Sequence, residues 1–371
     1  MKYLFITFAV LVFAASLLAQ TELTRTGETE IPLNGEQIWV KHMSGYDFGY
    51  INAGNNGIRL VNLSTYSIVA QFMDAPVRDI WVRGDYVYVA AYTDTFYILE
   101  ADDLDRVSST YLGNVNYRGT AICVSETTGT GYATTLWAYI GIYTDDNHCH
   151  LQRINVNSPT SPGFPIGLSR NVTDLGEGYI YDLYPIWGGN NIGTYTNGWN
   201  YLCVLRNCGT GYSLELRSPG TYFYYPRYYA EGYPGSVLED SQPIFQHPYS
   251  LWVYSHPDQL YAYVAEGEGG ISILELNPNR ESGYDDDIDD DPPVVGWKAD
   301  PTDTDYRDFK PFGDIGAIAN YTDTGKMLYI VDLSNMEYGI VDTTASIDGL
   351  FGTGCWLDAT RVHVVADSLD E

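Results

Sequence analysis

The sequence predicts an all-β fold made of repeated, four-stranded antiparallel units. Three observations predict it. Short apolar runs alternate with polar residues, and few segments carry a helical period. The composition, with 34 Tyr, 37 Gly and 15% aromatic residues, suits strands joined by tight turns. One pattern also recurs at fixed spacing. Tyr88-Val89-Ala90 is followed ten residues on by Ile98-Leu99-Glu100, Tyr263-Val264-Ala265 by Ile273-Leu274-Glu275, and Tyr50-Ile51-Asn52 by Leu60-Val61-Asn62. Tyr329-Ile330-Val331 and Ile340-Val341-Asp342 repeat it at eleven.

The first segment, MKYLFITFAVLVFAASLLAQ, has a basic Lys2, an apolar run and then small residues. Residues 1–19 are therefore expected to be a secretory signal peptide, cleaved after Ala19. No cysteine stands there to take a lipid, and no later stretch is apolar and long enough to span a bilayer. The expected location is secreted, periplasmic or cell-surface associated, with residues 20–371 forming one domain. A net charge of −29 repels phosphate backbones and argues against a nucleic-acid partner.

The repeated units follow in order: 36–75, 76–115, 116–172, 178–242, 246–300 and 310–349, with a seventh beginning at GCWLDA (354–359) and RVHVVADS (361–368). In the second unit the strands are VRDIWV, YVYVAA, the run ending in ILE, and RVSSTYL; SIVAQFM (67–73) is the fourth strand of the first. The units at 117–157 and 180–218 are looser copies. Self-similarity on this scale, with four antiparallel strands per unit, points to a β-propeller. A lone four-stranded sheet is marginally stable, and stacking it between neighbours buries both faces. Seven blades are expected, with six as the alternative. The last unit runs out of chain before its third strand. Residues 21–35, containing ETEIPL, are expected to join it and close the ring through the N- and C-terminal segments.

VRDIWVRGDYVYVAA (77–91) resembles the first half of the LVIVD repeat, and YGIVDTT (338–344) resembles the strand that names it. GGISILELNPN (269–279) and NGIRLVNLS (56–64) are looser versions. The resemblance implies a propeller of exported or cell-surface proteins. It brings no shared catalytic motif, so no catalytic residue carries over.

Several clusters could carry chemistry. Asp285, Asp286, Asp287, Asp289, Asp290 and Asp291 lie in one run between two strands of the fifth unit. Carboxylates this dense are candidates to hold Ca²⁺; without the EF-hand spacing they are equally a solvated insertion. Tyr222, Tyr224, Tyr225, Tyr228 and Tyr229 sit in TYFYYPRYYAEGYP (221–234), a candidate surface for stacking on sugars or a protein, or else an edge strand and its loop. His148 and His150 would share one face of a strand and could hold a transition metal weakly. Asp79 and Asp308 occupy equivalent first-strand positions, VRD and YRD, where they could line a central channel as acids or brace neighbouring blades through the backbone. GNNG (54–57) and GEGG (267–270) fall in equivalent turns, which accounts for their glycines without a phosphate. Cys203 and Cys208 could close a local disulfide, and NLS at 62, NVT at 171 and NYT at 320 are sequons.

The sequence thus favours an exported, non-catalytic propeller that binds a protein or glycan partner, with no cofactor beyond a candidate Ca²⁺. The alternatives are a secreted hydrolase or lyase acting on polysaccharide, and a structural subunit of an extracellular layer.

Overall fold

The computed structural model describes residues 3–10, 23–31, 35–127, 135–164, 172–186, 201–207, 211–217, 226–232, 247–256, 259–276, 294–297, 304–323, 325–334, 343–349, 351–359 and 361–366. These residues form seven four-stranded antiparallel sheets. In six of them the strands pair in chain order. The first holds Gln37–Met43, Tyr46–Asn52, Ile58–Asn62 and Ser67–Phe72, and the second Val77–Arg83, Tyr86–Ala91, Thr95–Glu100 and Arg106–Tyr111. The third, fourth, fifth and sixth begin at Arg118–Thr127, Tyr179–Ile186, Ser250–His256 and Tyr306–Phe312.

The seventh sheet draws on both ends of the chain. Its order is Leu23–Ile31, Tyr3–Val10, Arg361–Ala366, Gly352–Leu357. Leu23–Ile31 is thus one strand removed from Arg361–Ala366, and Tyr3–Val10, inside the segment expected as an export signal, pairs directly with it. Among the described residues no helix is long and apolar enough to cross a membrane.

The tyrosine-valine alternation explains why the sheets stack. Successive residues of a strand point to opposite faces. In Tyr86–Ala91, Val87, Val89 and Ala91 pack toward the first sheet, among Tyr50, Ile58 and Leu60. Tyr88 and Ala90 pack toward the third, among Ile122, Val124 and Ile140. Every pair of neighbouring sheets encloses such a cluster, including the seventh and first, where Val365 meets Ile38, Ile51 and Val61. Each of these aliphatic side chains contributes about 1.5–3 kcal/mol on burial, which an isolated sheet would forgo on both faces. The first strands of successive sheets touch one another, and Gly352–Leu357 touches Gln37–Met43 in turn.

The glycine turns match each other. Ala53 N–H bonds to the Gly57 carbonyl and Glu266 N–H to the Gly270 carbonyl, with positive φ at Gly54, Gly57, Gly267 and Gly270. Three expectations need correction. The sixth sheet starts at Tyr306, ahead of 310, and Tyr329 lies in its third strand, Lys326–Asp332, so the spacing of eleven does not mark the second-to-third strand step. Residues 338–342 lie outside the described residues. Cys203 is a free, buried thiol, so it makes no disulfide; Cys208 lies outside the described residues.

Gly57 and Gly84 both have positive φ, but only at Gly57 would a Cβ collide, 1.9 Å from the Phe72 carbonyl oxygen; at Gly84 the space is open. Gly84→Ala should therefore cost about 1–2 kcal/mol of backbone strain, and Gly57→Ala clearly more. Urea denaturation of the two variants checks this; equal losses would contradict the crowding at Gly57.

Candidate functional site at the axial cup

The first strand is the inner edge of each sheet, and its inward N–H groups have no ladder partner. Three aspartates supply one. Asp79 Oδ1 accepts from Ile80 N–H at 2.8 Å, and its Oδ2 accepts from Ile122 N–H of the third sheet at 2.7 Å. Asp182 accepts from Leu183 and, at 2.7 Å, from Leu251 of the fifth sheet. Asp308 accepts from Phe309 at 2.9 Å and from Cys355 of the seventh sheet at 3.0 Å. Each carboxylate therefore clips two adjacent sheets together. The equivalent places in the receiving sheets are Ala121, Ser250 and Gly354, small enough to admit the incoming side chain. In the first sheet Gln37 holds this place, and its Oε1 accepts from Ile80 N–H at 3.4 Å.

Two residues further along each first strand, side chains return to the same side. There Trp39, Trp81, Tyr184, Trp252 and Trp356 meet with ring centroids 4.8–5.8 Å apart. The sixth sheet contributes Lys310, whose Nζ lies 4.4 Å from the Trp252 ring centroid and donates to Asp308 Oδ1 at 2.6 Å. Burial disfavours this ammonium, but the Asp308 carboxylate outweighs it and its pKa is raised. Close-packed rings plug the axis beneath the aspartates.

Above the aspartates the first strands change register. Bulges fall between Val77 and Asp79, Gly119 and Ala121, Ile180 and Asp182, Tyr306 and Asp308, and Gly352 and Gly354. A bulge re-aims the extra side chain. Of these residues, Arg78, Tyr181, Arg307 and Thr353 line a cavity of about 440 Å³, together with Glu36 and Tyr249 from the unbulged first and fifth sheets. Asp79, Asp182, Asp308 and Lys310 form its floor. The result is a blind cup at one end of the axis.

The cup is polar and charged. The Arg78 guanidinium sits 4.6 Å from the Tyr92 ring centroid, and Arg307 sits 3.8 Å from Tyr249 and 4.8 Å from Tyr321. Arg307 also bonds to Asp305. The Nε of both arginines is buried without a hydrogen-bond partner. Burial raises the Glu36 pKa against the pull of Arg78. It pushes Asp79 up to about 6, opposed by its backbone N–H bonds, and raises Asp182, which also faces the Asp79 charge.

A raised carboxyl facing a cavity has the look of a general acid. Here both oxygens of Asp79, Asp182 and Asp308 are engaged by backbone N–H groups, which suits bracing rather than proton transfer. Asp79 and Asp308 thus stand where the sequence placed them and in the bracing role it offered. Asp182, in IYDLYP, performs the same task and was missed, although its DLY matches the DIW of the second unit. The plug was legible too, as Trp in QIWV, DIWV, SLWV and GCWL. The two cup arginines carried no signal beyond preceding Asp in VRD and YRD.

The other candidates lie elsewhere. Asp285, Asp286, Asp287, Asp289, Asp290 and Asp291, and Tyr222, Tyr224 and Tyr225, lie outside the described residues. Tyr228 and Tyr229 fall in the outer strand of the fourth sheet, Pro226–Gly232, and their side chains lie outside what is described. His148 and His150 both face Asp174, at 3.3 and 3.7 Å, and among the described residues no group of three or more His, Cys, Asp or Glu could hold a metal ion.

With this geometry in view, the fold is that of a β-propeller. It is similar to the β-propeller domain of Cps50 (Swd1) from Myceliophteria thermophila, at 12% identity and a TM-score of 0.52, covering 90% of this chain and 98% of that one. A weaker likeness, TM-score 0.46 at 9% identity, is to the computationally designed Ika8 protein, over 90% of this chain and 98% of that one. Residues 76–99, the second sheet's first three strands, match the LVIVD repeat. No curated protein matches the chain.

Asp182→Ala would orphan two N–H groups where the fourth and fifth blades meet, and should cost about 3 kcal/mol in urea denaturation; a loss below about 0.5 kcal/mol would contradict the bracing role. Asp79 also predicts a pH dependence. Its folded pKa lies above the ordinary 3.8, so the folded chain keeps a proton that the unfolded chain has lost. Its contribution to stability is largest below about 4 and falls as the pH rises to about 6. Asp79→Asn should flatten that part of the stability profile at fixed ionic strength; an unchanged slope would contradict the assignment.

Proposed function

We propose that the chain is an exported, non-catalytic propeller of seven blades, residues 20–371, that holds a protein or glycan partner at the cup end of its axis. The observation that carries this is the pairing of an open, 440 Å³ polar cup with three floor aspartates that each have both oxygens bonded to backbone N–H groups. Cavities of about 300–1,000 Å³ take small ligands or one projecting group of a larger one. The propeller fold fits such a module, since its loops and axial ends vary around a rigid frame.

Export with cleavage after residue 19 removes the strand Tyr3–Val10. On this reading Leu23–Ile31 moves one place inward, pairs with Arg361–Ala366, and closes the ring of the mature protein. Contacts already link the ends of the chain: Thr353 Oγ1 donates to the Gly35 carbonyl at 2.5 Å, and Arg361 Nη1 to Asp47 Oδ2 at 3.2 Å.

Two measurements test the proposal. The intact mass of protein recovered outside the expressing cell should lack residues 1–19; retention of Met1 would contradict cleavage. The purified protein, offered a panel of polysaccharides and peptides with and without Ca²⁺, should bind without releasing shorter products. Product release abolished by substitution of Asp79 or Asp308 would overturn the non-catalytic reading in favour of a hydrolase or lyase. Binding that requires Ca²⁺ would assign a cation to the Asp285–Asp291 segment.

A further inference from the structure

We infer that the axial cup takes the carboxylate-bearing end of an acidic oligosaccharide, with Arg78 as the group that binds the carboxylate and Arg307 as a supporting hydrogen-bond donor. This rests on the cup being the binding site of the module, and it names the chemistry the site selects.

The charges decide the roles. Arg307 is neutralised by Asp305, and Lys310 by Asp308. Asp79 and Asp182 hold backbone N–H groups, and burial favours their uncharged forms. Glu36 is turned toward the Gly54 turn, where its Oε1 stands 2.4 Å from the site of an added Cβ. Arg78 keeps ring contact with Tyr92 and feels the nearby Glu36 carboxyl, but among the described residues nothing accepts from its buried Nε. A guanidinium presents its N–H groups as a planar fork that matches a carboxylate, and a buried Nε without an acceptor costs free energy until a ligand or water supplies one. Contact with the Tyr92 ring restrains that fork, so less side-chain freedom remains to be lost on binding.

The rest of the lining favours a sugar over an acidic peptide. Tyr249, 39% exposed, offers a flat ring at the rim, and Tyr181 stands beside it on the fourth blade. Gln37, Asn52, Ser250 and Thr353 supply short polar groups suited to hydroxyls, and among the described residues no aliphatic side chain lines the cup. The tryptophan plug closes the bottom, so a ligand enters end-on by a chain terminus and does not thread through.

The test is calorimetric titration of the full chain with a galacturonate oligosaccharide, its methyl ester, a neutral oligosaccharide of equal length and an oligoglutamate. The wild type should prefer the free acid to its ester by roughly tenfold or more, the loss expected for one charge-assisted bidentate contact. Arg78→Gln should abolish that preference, Arg307→Gln should weaken all sugars by a few fold, and Arg106→Gln, on the outer strand facing Asp74, should change nothing. Thermal melts establish that each variant is folded. Equal binding of acid, ester and neutral sugar would overturn the inference while leaving the binding module intact. Tighter binding of oligoglutamate would assign the cup to an acidic peptide. Absence of binding in every arm would overturn both, and cleavage of any sugar would overturn the non-catalytic reading alone.

Discussion

The clip between adjacent inner strands is the interaction on which the rest of the structure depends. Stacked sheets bury apolar faces readily, but their innermost edges leave a row of N–H groups pointing at the axis with no strand to pair with. A carboxylate that accepts one N–H from its own strand and one from the next solves this twice over. It satisfies two buried donors and sets the distance between the sheets. Asp79, Asp182 and Asp308 do so at alternate junctions, each facing a residue with little or no side chain. An alternation of this kind cannot run evenly around seven sheets, and the seventh and first are joined otherwise. There Gly354 lets the backbone of Gln37 approach to 3.1 Å from the position a Cβ would occupy, and side chains from Thr353 and Arg361 complete the junction.

The cup follows from the same arrangement. A strand that must present Asp to its neighbour at one position, and a large ring to the axis two residues later, has its register set locally. The bulge just before the Asp absorbs the mismatch and turns one extra side chain toward the opening. Structural need thus creates a circle of positions whose side chains turn toward the opening. Such positions are where a repeat fold acquires specificity, and here they hold two arginines, two tyrosines, a glutamate and a threonine. Catalysis would ask the floor acids to exchange protons with a ligand. Their bonds to the backbone, and the salt bridge of Asp308 with Lys310, oppose that.

Much of the fold was legible because the repeat is written in residues that do structural work. The alternation in YVYVAA reads as two buried faces because both faces are buried, against different neighbours. The fourth strands Ser67–Phe72 and Arg106–Tyr111 lie where SIVAQFM and RVSSTYL suggested. The sixth unit misled because Tyr329 imitates the second-strand tyrosine from a third strand, where the same two-sided burial applies. The site was less legible. Tyrosine-rich and Asp-rich runs catch the eye through composition, whereas the cup is assembled from one residue per blade. Only the alignment of DIW, DLY and DFK across blades would have placed Arg78, Tyr181 and Arg307 in one ring. Nothing local in VRD announces that its arginine looks into a cavity.

Hydrogen exchange of single amides tests the central claim most directly. If the aspartates hold the inner edges together, the N–H groups of Ile122, Leu251 and Cys355 exchange as slowly as the ladder amides beside them. Replacing one aspartate then speeds exchange at its own receiving amide far more than at the other two. Fast exchange at all three in the unaltered protein, or a uniform rise across them in each variant, would contradict the account.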